Sequence, residues 1–344
     1  MRKAVTIKSI AEQLGLSRNT VAKALNGQYV PESTRERVLK KAQELNYKSM
    51  NLTHIALGKK KYKILLVSGK PLSNINYFIP LVKGIENSCY ENNYDLFQLT
   101  YNVSTSPFAH LSEHVKELRA DGIVAIECFD KNFIAKLVNL GLPICFYDFS
   151  ADNVKSATKI DIIRTNDKSA ISEIVNLLHN KYKTERFTFV GDRKHCLSFY
   201  ARYIGMRMGI MSFSDKHTVA SDILCNDESF PYGNPEAIKT EILKLRRIPD
   251  CFVCCNDFVA RNVCHALSSL NIKVPNDVMI IGFDNVPEAT ALSPNITSFS
   301  IDKEFLGREM IRTLVQRIEN PNIPSRMVTL RTEMILREST DRND

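Results

Sequence analysis

A chain of 344 residues is longer than one hydrophobic core usually organises, so two or more domains are expected. With 44% hydrophobic and 24% charged residues it has the balance of an ordinary globular protein. No apolar run is long enough to cross a bilayer, and the opening MRKAVTIKSIAEQL breaks into charge too early for a secretory signal. Nine cysteines at irregular spacings suit a reducing compartment better than a disulfide framework, so a cytoplasmic protein is expected. The charge is uneven. Through Lys63 there are fourteen basic and four acidic residues, a net +10 against +8 for the whole chain, which leaves the remainder at −2. A small basic head on a near-neutral body points to a polyanion partner for the head.

The head reads as three short helices. Ile7, Ile10, Ala11 and Leu14 recur at helical spacing after Thr6, a capping residue, and Gly15 supplies a turn. Ser17 caps a second helix, whose Val21, Ala24 and Leu25 form an apolar face. Arg18, Asn19, Ala22, Lys23 and Asn26 point the other way, and Gly27 ends the helix. A third helix is predicted from about Pro31 to Leu45, with Val38, Leu39, Ala42 and Leu45 inward.

Two helices joined by a tight glycine turn and braced by a third form a helix-turn-helix. Its second helix enters the DNA major groove, led by its N-terminal residues. Arg18 has the fork for guanine O6 and N7, Asn19 the donor–acceptor pair for adenine, and Lys23 a less directional donor. Thr6, Thr20 and Asn26 suit phosphate contacts, which fix register rather than sequence. The segments VTIKSIAEQLGLSRNTVAKALNG and VPESTRERVLKKAQELNY together resemble, over about fifty residues, the N-terminal head of the lac-repressor/galactose-repressor family of bacterial regulators. Ala22 and Lys23 stand where that family commonly has Ser and Arg, which puts one phosphate contact and one bidentate base contact in question.

The resemblance bends at the hinge. After Tyr47 the family shows x-Pro-Asn and then a short helix whose leucine wedges into the minor groove. This chain reads YKSMNLTHIALGKKK, with Ser49 in place of the proline. Asn51 and Leu57 keep the family spacing one residue late, so a one-residue insertion makes Leu57 the wedge. Without the insertion the position falls on Ala56, too small to unstack a base step, and Lys59, Lys60 and Lys61 hold the backbone alone. A solvated flexible linker is the plainer alternative.

From Tyr62 onward apolar runs alternate with helical stretches at 78–91, 108–119 and 131–140. KILLVSG, YDLFQLT, DGIVAIE and PICFYD form a first series; KIDIIRT, RFTFVGD, DCFVCCND and VMIIGFD form a second. Buried strands alternating with helices mean parallel sheets covered on both faces, and two series mean two α/β lobes. Ligands in such folds sit beyond the C-terminal strand ends. Asp148, Asn256-Asp257 and Asp284-Asn285 each close an apolar run, and together they suit a small polyhydroxylated or heterocyclic ligand.

The resemblance extends along the body through SNINYFIPLVKGIE, ARYIGMRMGI, VCCNDFVA, VPNDVMIIGFDN and LSPNITSFSIDKEFLGREM to the closing RES. It implies that Asp148, Arg202, Asn256 and Asp284 line an effector cleft, with Phe78 or its neighbour Tyr77 packing on the ligand. Arg202 and Asp284 would fork onto adjacent hydroxyls, Arg202 could meet a carboxylate or phosphate, or Arg202 could form a lobe–lobe salt bridge. TNDKS departs from the family's usual Asp-Asn order at 166–167, so neither residue is carried over.

Two other patterns carry less. HLSEH at 110–114 has the H-x-x-E-H spacing of a zinc peptidase but falls on a polar helix with no third ligand in sight. CFVCC at 251–255 places Cys251 and Cys254 on opposite faces of a strand, where they cannot share a metal. No G-x-S-x-G, P-loop or G-x-G-x-x-G occurs, so hydrolase, nucleotide-triphosphatase and dinucleotide-enzyme readings lack an anchor.

The sequence thus predicts a small all-α helix-turn-helix head and an α/β two-lobed, periplasmic-binding-protein-like core with parallel sheets. The expected domains are 1–48 for the head, 49–61 for the hinge and 62–344 for the core. Within the core the first lobe takes about 62–159 and 291–320, the second about 160–290 and 321–341. The expected protein is a non-enzymatic repressor, without metal or cofactor, acting as a homodimer on a pseudo-palindromic double-stranded DNA operator. Its control would come from a small effector, a carbohydrate above all. A regulator of the same family answering to a protein co-regulator or to nothing, and a transport-type sugar-binding protein, are the alternatives. The basic head and the lack of a signal peptide argue against the second.

Overall fold

The structure is a computed structural model that describes residues 6–25, 30–45, 61–69, 75–101, 108–149, 159–213, 223–291 and 293–342. The chain forms two compact units, one essentially the head and the other the α/β body. The head holds α1 (Ile7–Leu14), α2 (Arg18–Leu25) and α3 (Glu32–Glu44). Thr6 caps α1 reciprocally: its hydroxyl accepts the Ser9 amide at 3.3 Å, and the Ser9 side chain accepts the Thr6 amide at 2.9 Å. Gly15 leaves α1 in the left-handed conformation at φ 66°, where a side chain would be strained. Ser17 Oγ accepts the Thr20 amide and so opens α2. Ile10, Ala11, Val21, Ala24, Leu25, Val30, Val38 and Ala42 close the small core.

The body begins with β1 (Lys63–Ser68), α4 (Ile75–Glu91), β2 (Asp95–Thr100), α5 (Phe108–Leu118), β3 (Gly122–Ile126), α6 (Lys131–Val138), β4 (Ile144–Tyr147) and β5 (Ile160–Thr165). It continues with α7 (Asp167–Tyr182), β6 (Phe187–Val190), α8 (Leu197–Met211), β7 (Ile223–Leu224), α9 (Pro235–Leu243), β8 (Cys251–Cys254), α10 (Asp257–Ser269) and β9 (Met279–Ile281). After β10 (Ser298–Ser300) come α11 (Lys303–Glu319), β11 (Met327–Leu330) and β12 (Glu333–Ile335).

Two sheets result. The first runs β11-β5-β4-β3-β1-β2 and the second β7-β6-β8-β9, while β10 and β12 form an antiparallel pair. The pairs β1/β3, β3/β4, β4/β5 and β5/β11 are parallel, as are all three pairs of the second sheet. Parallel strands buried on both faces need continuous apolar runs, and β3, β4, β6 and β8 are buried throughout. In each sheet the strand order reverses beside the first strand laid down: β1 sits between β2 and β3, and β6 between β7 and β8. These switch points are where ligand clefts open in such folds.

The expected lobe boundaries need correction. The expected boundaries put β10 in the first lobe, yet its Phe299 packs in the core of the second. They put β5 and β11 in the second lobe, yet both extend the first sheet, Ile144 pairing with Ile160 and Met327 with Ile162. The reason is a buried charge. Asp161 on β5 is fully buried, and a carboxylate there must be paired. Arg317 of α11 binds it through Nη2 at 2.7 Å and Nε at 3.1 Å, and Arg326 adds its backbone amide and guanidinium. Since α11 packs on β3, β4 and β5, the ion cluster ties β5 and the approach to β11 to the first sheet.

Glycines mark one close helix crossing. A Cβ on Gly84 of α4 would collide with the Glu304 carbonyl, and one on Gly307 of α11 with the Leu81 carbonyl. The two helices therefore touch backbone to backbone on the first lobe.

Candidate functional site

The head presents α2 as expected of a reading helix. Val21 and Ala24 are fully buried and Leu25 nearly so, while Arg18, Asn19 and Lys23 are exposed. Arg18 opens the helix and Asn19 follows it, and Lys23 lies one turn beyond Asn19, so the three share one face. Thr20 is half-exposed and its hydroxyl shares a 2.8 Å hydrogen bond with Ser17 Oγ. Thr6 is exposed, its oxygen taken by the Ser9 amide. Asn26 and Leu57, the remaining DNA-contact candidates, lie outside the described residues.

In the body a cavity of about 130 Å³ opens at the C-terminal ends of β3, β4, β8 and β9. It gathers Phe78, Asp148, Arg202, Asn256 and Asp284, all five residues expected there, together with Tyr77. Three of its residues take backbone conformations that side chains rarely adopt: Glu127 at φ 53°, Asp148 at φ 56° and Asp284 at φ 97°. Each follows a buried strand, and the left-handed step turns the carboxylate from the sheet toward the cleft.

Arg202 is the hub. Its Nε donates to Asp167 at 2.7 Å, Nη1 to the Cys255 carbonyl, and Nη2 to Asp284 at 3.3 Å. The guanidinium also lies over the Phe283 ring at 3.7 Å. Burial alone would lower its pKa, but Asp167 and Asp284 outweigh that and raise it, so the cation is permanent.

Asp148 is held differently. Its Oδ1 accepts the Ser198 amide at 2.8 Å, and among the described residues no lysine or arginine lies within ion-pair distance. Burial and the nearby Asp167 push its carboxyl up to about 6, against the pull of the Ser198 amide and Arg202. Burial raises Asp284 as well, Arg202 and Lys303 opposing it. Asn256 sits half-buried at the rim, its Oδ1 accepting the Val259 amide at 3.0 Å to cap α10. Tyr77 and Tyr147 are both buried and share a hydroxyl–hydroxyl hydrogen bond, with Lys303 over the Tyr77 ring at 5.5 Å.

Sequence reasoning missed Asp167, Glu127, Phe129, His195 and Ser198. Glu127 had a readable signal, an acid directly after the apolar GIVAI run of β3. Asp167 had none that local pattern could show. It is the nearest carboxylate to Arg202, but TNDKS departs from the family's usual Asp-Asn order, so the resemblance did not carry it over.

The histidine and cysteine patterns stay apart from this site. His114 Nδ1 is 2.7 Å from the His110 carbonyl of its own helix, and both rings are exposed. Cys251, Cys254 and Cys255 are buried, and burial pushes all three thiols up. Among the described residues no cluster could hold a metal ion, and no helix is long and apolar enough to cross a membrane.

Residues 6–49 match the model of bacterial regulatory proteins of the lacI family, and residues 181–340 match a periplasmic binding protein-like domain. The chain belongs to the lacI family of bacterial regulators. Among relatives of this lacI-family chain, an HTH-type transcriptional repressor PurR from Aliivibrio salmonicida (strain LFI1238) is 24% identical over 97% of this chain and 98% of its own length. A ribose operon repressor from Haemophilus influenzae is 25% identical over the same shares. Two solved structures share the fold over nearly the whole chain. A transcriptional regulator CelR–cellobiose complex gives a TM-score of 0.69 at 20% identity, covering 97% of this chain and 99% of that one. A lac repressor dimer bound to operator and the anti-inducer ONPF gives 0.67 at 18% identity, covering 98% and 99%.

Proposed function

We propose that this lacI-family chain is a sequence-specific DNA-binding transcription repressor whose operator affinity is set by a small molecule held in the cleft of the body. The observation that carries the DNA half is the division of α2, with Val21, Ala24 and Leu25 buried and Arg18, Asn19 and Lys23 exposed on the other face. Arg18 reads guanine, Asn19 adenine, and Lys23 supports the same edge, while Thr6, Thr20 and Asn26 hold phosphates and Leu57 is the minor-groove wedge. A single head sees half a site, so a homodimer on a two-fold-related operator follows. The DNA partner places the protein in the bacterial cytoplasm.

The effector half rests on the converging groups of the cleft. Phe78 and Tyr77 cover a ring face, and Asp148, Asn256 and Asp284 bring polar groups to its hydroxyls, with Arg202 fixing Asp284. A relative named as a ribose operon repressor and a structural neighbour solved as a CelR–cellobiose complex support a polyhydroxylated ligand. The cavity suits one ring.

The test is selection of duplexes from a randomised pool, followed by fluorescence anisotropy of the selected operator with and without candidate sugars. The expected result is a pseudo-palindromic site whose affinity a ligand changes by about 5- to 150-fold, with the change lost in Asp284→Asn. Asn is the informative replacement because it tolerates the left-handed backbone of position 284. Binding without sequence preference would overturn the reading.

A further inference from the structure

The charge of the cleft says more about the ligand than its size does. Arg202, the cation that lines it, is already spoken for: Asp167 and Asp284 flank it and the Cys255 carbonyl takes a third side. A guanidinium neutralised by two carboxylates has little to offer an incoming phosphate or carboxylate, which would have to displace a buried partner at 2.7 Å. Lys303 donates to the backbone carbonyl of Asp284 at 2.7 Å and is not among the described residues that line the cleft.

Apart from Arg202, the carboxylates are the formally charged side chains among the described lining residues. Asp148 and Glu127 line the cleft with Arg202, and Asp148 has no lysine or arginine at ion-pair distance among the described residues. Among the described lining residues Glu127, Asp148 and Asp284 thus accompany one guanidinium, which Asp167 also binds. Ring faces complete the wall, because Tyr77, Phe78, Phe129 and Phe199 all line it. Aromatic faces and a carboxylate such as Asp148, with no lysine or arginine at ion-pair distance among the described residues, are what an ammonium group seeks, and both repel an anion.

We propose that the cleft selects a single-ring polyhydroxylated ligand carrying an ammonium group, an amino sugar, over its neutral parent, and rejects the phosphorylated and carboxylated forms. The inference rests on the reading of the cleft as the effector site. Asp148 takes the ammonium, and the aromatic wall takes the ring face beside it.

The experiment is isothermal titration calorimetry of the full chain at pH 7.5. The probes are glucose, galactose and mannose, each as the neutral sugar, the 2-amino-2-deoxy sugar, the 6-phosphate and the uronic acid. The expected result, for at least one of the three rings, is an amino form that binds about tenfold or more tighter than the neutral form, with both anionic forms weaker than neutral. In Asp148→Asn the amino-to-neutral ratio should fall below about threefold, because Asn keeps the acceptor for the Ser198 amide and removes only the charge. The wild-type ranking decides the matter even if the variant does not fold. An anionic form that binds as tightly as the neutral one, or equal affinity for neutral and amino forms, overturns the charge selectivity and leaves the effector site standing. No heat from any of the sugars overturns both.

Discussion

Asp148→Asn should stabilise the protein at neutral pH while weakening its cleft. In the wild type the carboxyl is desolvated beside Asp167, and the groups that face it are Asp167, Arg202, the Cys196 thiol, Tyr147 and the Ser198 amide. Together they move its pKa from 3.8 to about 6. At about 1.36 kcal/mol for each tenfold change in proton affinity, this corresponds to roughly 3 kcal/mol. The folded-state value lies above the unfolded one. Its contribution to stability is therefore fully present below about pH 4 and lost as the pH rises through about 6. An asparagine fits the left-handed backbone at φ 56° and never ionises. The variant should match the wild type near pH 4 and exceed it by up to about 3 kcal/mol at pH 7.5. Urea unfolding followed by circular dichroism at the two pH values reads this directly, and suits a chain with no tryptophan. A variant less stable than wild type at pH 7.5, or a constant difference across the range, would refute the claim that this carboxylate is buried at a cost.

Arg202→Met should do the reverse, costing about 3–5 kcal/mol at pH 7.5 because it leaves Asp167 and Asp284 buried without their cation. The same urea series would show it, and a loss under about 1 kcal/mol would mean that the pair is solvated. Gly84→Ala should cost about 1–3 kcal/mol, since its Cβ meets the Glu304 backbone across the helix crossing; an unchanged melting temperature would contradict that contact. In the head, Arg18→Ala should cost about 1–3 kcal/mol at one base pair of the selected operator and relax preference there. Lys60→Ala should instead weaken all duplexes evenly and lower the salt slope by about one, and anisotropy at several salt concentrations separates the two.

The legible parts of this chain were the local ones. The left-handed Gly15, the Thr6 cap and the α2 face depend on residues within a few positions of one another, so spacing alone revealed them. The strand runs were legible because strands buried on both faces must be apolar from end to end. What local pattern could not show was which sheet a strand joins. KIDIIRT looked like the start of a second series, but Asp161 needs Arg317, 156 residues away, and that pairing makes it the fifth strand of the first sheet. The strands β10, β11 and β12 were missed because they are three or four residues long, too short for a period to show. The cleft divides the same way. Acids that close apolar runs could be read, whereas Asp167 becomes a site residue only through Arg202 on another helix.

Hydrogen bonds at and beside the cleft join the two lobes, and this gives the proposed control a physical basis. Asp148 follows a strand of the first sheet and accepts the amide of Ser198, at the start of α8 on the second lobe. Lys303 opens α11 on the first lobe and donates to the Asp284 carbonyl beyond β9 of the second. Asn76 of α4 also donates to Glu288 at 2.8 Å. A ligand that draws on Asp148 or Asp284 must compete with, or reinforce, hydrogen bonds that cross between lobes. It then binds one lobe arrangement better than another, and only such a difference in affinity can shift a conformational equilibrium. An ammonium on Asp148 offsets the charge that burial penalises, so its binding energy is largest in the arrangement that keeps Asp148 against Ser198. Binding of that ligand should therefore stabilise the joined lobes, and Asp148→Asn, already relieved of the penalty, should gain less from it. The difference is measurable as a smaller ligand-induced rise in melting temperature for the variant than for the wild type at equal ligand concentration.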